Sequence, residues 1–85
     1  MAKGTIRYWA AARAAAGVPE ESYDAGTLAD ALAAAQARRG SVDFDRVLGC
    51  SSFLVDGDPV GTREHLAVPL PEGGVIEVLP PFAGG

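Results

Sequence analysis

One stretch, Thr27 to Gly40, carries both a helix start and a helix stop more clearly than any other part of the chain. The Thr27 hydroxyl can cap the first turn, and Asp30 three residues on favours the positive end of the helix dipole. Leu28, Ala31, Leu32 and Ala35 fall at i, i+3, i+4 and i+7, which makes one apolar face. Arg38 and Arg39 complement the C-terminal end, and Gly40 terminates it. Half of the apolar face is alanine, so the helix can lie close against a sheet as a crossover. With 85 residues there is room for one domain only, and the strands have this one main helix to pack on.

The rest of the chain reads as short strands and turns. Thr5 to Trp9 alternates, with Ile6 and Tyr8 pointing one way and Thr5, Arg7 and Trp9 the other. Ala10 to Ala16 is a short alanine-rich helix, stopped by Gly17 and Pro19, and Glu20 to Asp24 is long enough for a second strand. Ser41 to Gly49 fits either a helical turn or an ordered loop: Phe44, Val47 and Leu48 have helical spacing, but Asp43 and Asp45 flank the phenylalanine. Cys50 to Asp56 alternates as a third strand, with Phe53 and Val55 on one face and Ser52 and Leu54 on the other. Asp56-Gly57-Asp58-Pro59 is a turn, with a short return strand at Val60. Thr62 to Leu70 is a loop with one helical turn, Pro71 to Gly74 another turn, and Val75 to Leu79 the last strand. Two hairpins around one helix, with the first and last strands parallel and side by side, make an α+β β-grasp arrangement of about four or five strands in a mixed sheet. That pairing would bring the C-terminal end out of the middle of the sheet, giving a domain over residues 1–79 and a tail over residues 80–85.

Composition closes off several function classes. Seven basic residues against eleven acidic ones give a net charge of -4, which argues against non-specific binding to nucleic acid or to acidic membranes. A single cysteine cannot staple the fold, and no Cys and His cluster has metal-ligand spacing, so a reducing cytoplasm and no structural metal are expected. Arg13 interrupts the alanine-rich run near the start, so neither a signal peptide nor a membrane span is expected. No nucleophile with an adjacent base, and no phosphate loop, is present, which makes an autonomous enzyme the weakest class. Glu20-Glu21 and Asp56/Asp58 read as solvated turns, Cys50 as a buried small apolar side chain and His65 as a surface residue.

The working part falls to the end of the chain, Pro80-Pro81-Phe82-Ala83-Gly84-Gly85. A diglycine with nothing after it places an α-carboxylate on a thread without Cβ atoms, able to enter a slot too narrow for other residues. The prolines disfavour helix and keep the start of the tail extended, so six residues reach roughly 20 Å at about 3.3 Å each. Phe82 can fill a partner pocket or plug the end of the core. Trp9 and Leu79, facing away from the core on adjacent strands, with Leu54 able to join them, would make an exposed apolar patch suited to docking; Trp9 can equally shield the sheet edge. Arg13 belongs to a solvated helix face or to the rim of that surface.

These residues together resemble the MoaD/ThiS family of ubiquitin-like sulfur carriers, most closely those that serve as the small subunit of molybdopterin synthase. The likeness runs over an opening strand leading into Ala11-Ala12-Arg13 and Gly17, the Gly26-Thr27-Leu28 helix start, Leu54-Val55-Asp56-Gly57 and the terminal Pro-Pro-Phe-Ala-Gly-Gly. The resemblance implies a protein cosubstrate, not an enzyme. Gly85 would be adenylated by an E1-like partner using ATP and Mg²⁺, converted to a thiocarboxylate by a sulfur donor protein, and would give its sulfur to a synthase, that of molybdopterin first. It implies no bound cofactor, and a partner surface made of Pro81, Phe82, Ala83, Gly84, Trp9, Leu79 and Arg13. Carriers for thiamine, cysteine or sulfur-containing natural products share the architecture, and so do ubiquitin-like modifiers whose activated terminus is attacked by a lysine amine.

Overall fold

The computed structural model describes residues 1–81, so the readings made for Phe82, Ala83, Gly84 and Gly85 lie outside the described residues. The chain runs β1 (Ala2–Tyr8), α1 (Ala10–Ala16), β2 (Glu20–Ala25), α2 (Leu28–Arg39), α3 (Val42–Gly49), β3 (Ser52–Val55), β4 (Asp58–Pro59), a 3-10 turn at His65–Ala67 and β5 (Val75–Leu79). The five strands lie in the order β2-β1-β5-β3-β4, a β-grasp sheet with β5 in the middle. β1 and β5 are parallel, pairing Ile6 with Ile76 and Tyr8 with Val78, while every other pair is antiparallel. The expected placement of the last strand is therefore observed.

Alternation decides what the sheet buries. Ile6, Tyr8, Ile76 and Val78 point into the core with Leu28 and Phe44, each no more than 1% exposed. Burying a side chain of this size contributes about 2 kcal/mol. The main helix forms as its end signals require: Thr27 Oγ1 accepts from the Asp30 N–H at 3.2 Å, and Gly40 closes the helix in the left-handed region at φ 57°.

Several local readings are settled or corrected. Residues 42–49 form a full helix, because Ser41 Oγ accepts from the Phe44 N–H at 3.1 Å and Phe44, Val47 and Leu48 turn inward together, leaving Asp43 and Asp45 in solvent. The Phe44 ring meets Tyr8 edge-on, at 5.6 Å between centroids. The first strand starts at Ala2 and ends at Tyr8, so Trp9 lies just past it. Its early part is weak in β-propensity because Gly4 opposes Tyr23, and a Cβ there would collide with the Tyr23 ring and the Gly74 carbonyl oxygen. The third strand is shorter than Cys50–Asp56, and the return strand is Asp58–Pro59, with the Val60 N–H adding one further bond to the Phe53 carbonyl at 3.0 Å. Asp56 and Gly57 take φ of 50° and 84°, the pair of positive angles that a two-residue Asp-Gly hairpin uses. Cys50, expected inside, is exposed: it follows the last turn of α3, and β3 begins only at Ser52.

Glu20 and Glu21 belong to β2 and are not turn residues. Glu21 faces inward at the end of the sheet where β1 finishes, where it accepts from the Tyr8 hydroxyl and pairs with Arg39 at 2.6 Å and Arg38 at 3.3 Å. Arg39 also donates to the carbonyls of Ala16 and Ala35, at 3.1 and 3.0 Å, and lies over the Phe44 ring at 4.5 Å. One guanidinium thus joins α1, α2, β2 and α3.

Candidate docking face and chain outlet

The face of the sheet turned away from the core carries Thr5 and Arg7 from β1, Val75, Glu77 and Leu79 from β5, and Ser52 and Leu54 from β3. Register places Arg7 and Leu54 on either side of Glu77, and Ser52 beside Leu79. Leu54, Val75 and Leu79 are half-buried by their neighbours.

Trp9 is held at the edge of this face by contacts from both its ends. Its backbone stays extended, and its N–H donates to the Val78 carbonyl at 3.2 Å. Its own carbonyl accepts from the N–H groups of Ala12 and Arg13, so the residue that ends the β1 pairing also opens α1. Ala10 then takes φ 49°, a left-handed conformation that costs an alanine about 1 kcal/mol and turns the chain sharply into the helix. The indole N–H donates to Glu77 at 3.2 Å, which lays the ring toward β5. Trp9 remains 45% exposed, among the few large apolar side chains left in solvent.

The outlet follows directly. Leu79 ends β5, Pro80 is buried and Pro81 is exposed, so the chain leaves the middle of the sheet beside the end of β1. Of the residues expected at the site, Trp9, Leu79 and Pro81 come from these neighbouring strand ends. Arg13 lies one helical turn beyond Trp9, exposed, on a shallow groove with Ala10, Ala14, Gly17, Val18 and Pro19. Phe82, Ala83, Gly84 and Gly85 lie outside the described residues. Sequence reasoning passed over Glu77, although its position between Ile76 and Val78 already assigned it to the open face.

Other chemistry-bearing groups are spent locally. Arg7 faces Glu20 across β1 and β2 at 3.9 Å, both in solvent. The Cys50 thiol donates to the Val47 carbonyl at 3.4 Å, and half-buried His65 meets the Phe53 ring edge-on at 5.1 Å. Burial first, and then the bond to the Glu21 carboxylate, push the Tyr8 phenol far above its ordinary pKa. Burial also raises Tyr23, whose hydroxyl donates to the Pro71 carbonyl at 2.7 Å. Among the described residues no group of three or more His, Cys, Asp or Glu is placed to share a metal ion, and no helix is long and apolar enough to cross a membrane.

The pattern of this chain is matched by the ThiS family model over residues 6–85. Comparison with curated proteins finds no match. Among solved structures, the small archaeal modifier protein 1 of Methanosarcina acetivorans superposes with a TM-score of 0.83 at 24% identity, over 100% of this chain and 98% of that one. A putative molybdopterin converting factor subunit 1 of Pyrococcus furiosus gives 0.77 at 22% identity, over 96% and 100% of the two chains. A complex of subunits 1 and 2 of the molybdopterin-converting factor of Helicobacter pylori 26695 gives 0.67 at 22% identity, over 98% and 99%. At these identities the structures share the fold.

Proposed function

Since the chain belongs to the ThiS family, we propose that it is a sulfur carrier: a protein cosubstrate whose Gly85 carboxylate is activated and converted to a thiocarboxylate. The extent of the family match supports this reading, because it runs through residue 85 and so takes in the diglycine itself. The carboxylate, with a pKa near about 3.5, is ionised at neutral pH and attacks the α-phosphate of ATP. Pyrophosphate leaves, and the mixed anhydride with AMP makes the carbonyl carbon electrophilic. Sulfur from a donor protein then displaces AMP. ATP, Mg²⁺ and the sulfur donor's chemistry belong to the partners, an E1-like adenylating enzyme first, in the cytoplasm.

The fold suits that task. β5 is bonded on both sides, so the segment it emits starts from a fixed point. Pro81, Phe82, Ala83 and Gly84 thread toward the partner's active site, while Trp9 and Leu79, with Arg13 at the rim, seat the domain. The accepting synthase is most simply that of molybdopterin: the Helicobacter pylori structure joins subunit 1 of that factor to subunit 2. A second reading, a modifier joined to lysine amines, takes its support from the likeness to the archaeal modifier protein.

Mass spectrometry of the protein from its native cells tests both. Arg63 is the last arginine or lysine, so trypsin releases residues 64–85 as one C-terminal peptide. The carrier reading expects this peptide with one oxygen of Gly85 replaced by sulfur, and expects Trp9→Ala to lower the thiocarboxylated fraction at least about tenfold without unfolding the chain. The same peptide found joined to lysines of other proteins would support the modifier. A terminus carrying neither change would refute an activated Gly85.

A further inference from the structure

The chain holds six arginines and a single lysine, and their positions follow a pattern. Lys3 is exposed near the start of β1, where its carbonyl accepts from the Gly73 N–H at 2.6 Å and its N–H donates to Glu72 at 3.1 Å. Because β1 and β5 are parallel, Lys3 lies at the end of the sheet where β5 begins, opposite the outlet. From Leu79 back to the level of Lys3 is roughly 20 Å along the strands. Residues 80–85 span roughly 20 Å when fully extended, and would first have to reverse direction. Lys3 thus stands about a full tail length from the outlet, at the opposite end of the sheet. Exposed basic residues beside the outlet include Arg7, on the open face in register with Glu77, and Arg13, one turn past Trp9, while Arg38 at the same end pairs with Glu21.

We infer that arginine in place of lysine at positions 7 and 13 protects the activated Gly85: the basic side chains beside the outlet offer no amine that the terminus can acylate. This rests on the activated-terminus reading above. A guanidinium stays protonated and is not acylated. A lysine at the same place would present a neutral amine for part of the time, tethered to the electrophile at an effective concentration on the order of millimolar. Its nitrogen would attack the Gly85 carbonyl carbon, the C–N bond would form as the bond to the leaving group broke, and the amine proton would pass to that group. The product would be a closed amide loop, lost to sulfur transfer.

Chemical activation tests this apart from any cellular enzyme. The full chain is prepared with a Gly85 thioester of 2-mercaptoethanesulfonate and left in mildly alkaline buffer, as the unsubstituted protein and as Arg7→Lys, Arg13→Lys and Ala14→Lys. The unsubstituted chain is expected to hydrolyse to the free carboxylate. The lysine variants are expected to give at least about tenfold more intramolecular amide, with the thiol lost and no water gained, mapped by digestion to the substituted position. Unchanged urea midpoints show that the variants remain folded, and Ala14→Lys, at an exposed position on the same helix, stands in for either arginine variant that does not fold. Lysine variants that only hydrolyse, or an unsubstituted chain that closes on its own Lys3, would overturn the inference. Neither result depends on whether Gly85 is adenylated in cells, which the native mass spectrum reads separately.

Discussion

Replacing Arg39 with alanine should cost this chain about 3 kcal/mol, a large loss for a residue whose position at a helix end suggests only a dipole partner. The guanidinium is 15% exposed and uses all three nitrogens: Nε on the Ala16 carbonyl, Nη1 on the Ala35 carbonyl and Nη2 on Glu21. Hydrogen bonds from a charged donor contribute about 1.5–3 kcal/mol each, and the cation above the Phe44 ring about 1 kcal/mol more. These contributions overlap, because one ordered group makes them all, and Glu21 keeps Arg38 and the Tyr8 hydroxyl after the substitution. A total near about 3 kcal/mol follows, against a stability of about 8 kcal/mol for a chain of this size. Urea unfolding followed by the fluorescence of Trp9, the only tryptophan, measures it. Arg38→Ala is the control: that guanidinium is 50% exposed and makes one longer contact, so its loss should stay below about 1 kcal/mol. Equal effects of the two substitutions, or a loss under about 1 kcal/mol for Arg39→Ala, would refute the view that one arginine joins the helices to the sheet.

Two further outcomes follow from the core. The Tyr8 phenol is held above its ordinary value of 10.0 in the folded chain, so its contribution to stability is complete below pH 10 and is lost as pH rises beyond it. The urea midpoint should therefore fall above pH 10. Tyr8→Phe should start about 1 kcal/mol lower at neutral pH and show a shallower alkaline decline, with Tyr23 keeping part of the slope; an unchanged slope would count against the assignment. Gly4→Ala should destabilise by at least about 2 kcal/mol in the same assay, because the added methyl meets the Gly74 carbonyl and the Tyr23 ring, and a variant within about 0.5 kcal/mol of the unsubstituted chain would show that this approach is looser than described.

The parts of the fold legible in the sequence were those governed by neighbours along the chain. Thr27 with Asp30, Gly17, Gly40 and the Asp56-Gly57 turn act within a few residues, and the strand alternation that puts Leu79 on the open face is equally local. What escaped depends on partners distant in sequence. Gly4 belongs in a strand only because Tyr23 and Gly74 need its missing side chain, and Arg39 turns inward only because Glu21 and Phe44 meet there. The helix at residues 42–49 was half visible: its apolar spacing and its Ser41 cap are in the sequence, but aspartates at 43 and 45 obscure it until their side chains are seen on the solvent side. Glu77 was hidden by its type, since a lone acid in a strand reads as plain surface until an indole is found donating to it.

The central position of β5 also decides how the protein responds to force. A pull on the C-terminal end, whether from a partner drawing in the tail or from an unfolding machine, loads β5 along its own axis between β1 and β3. Under that load the hydrogen bonds of two ladders shear together, whereas an edge strand such as β2 can be peeled from the sheet one bond at a time. Resistance to such pulling is set by the unfolding barrier and not by equilibrium stability. The outlet strand is thus also a mechanical clamp, and a carrier of this build can have its tail repeatedly gripped and released while the domain behind it stays folded.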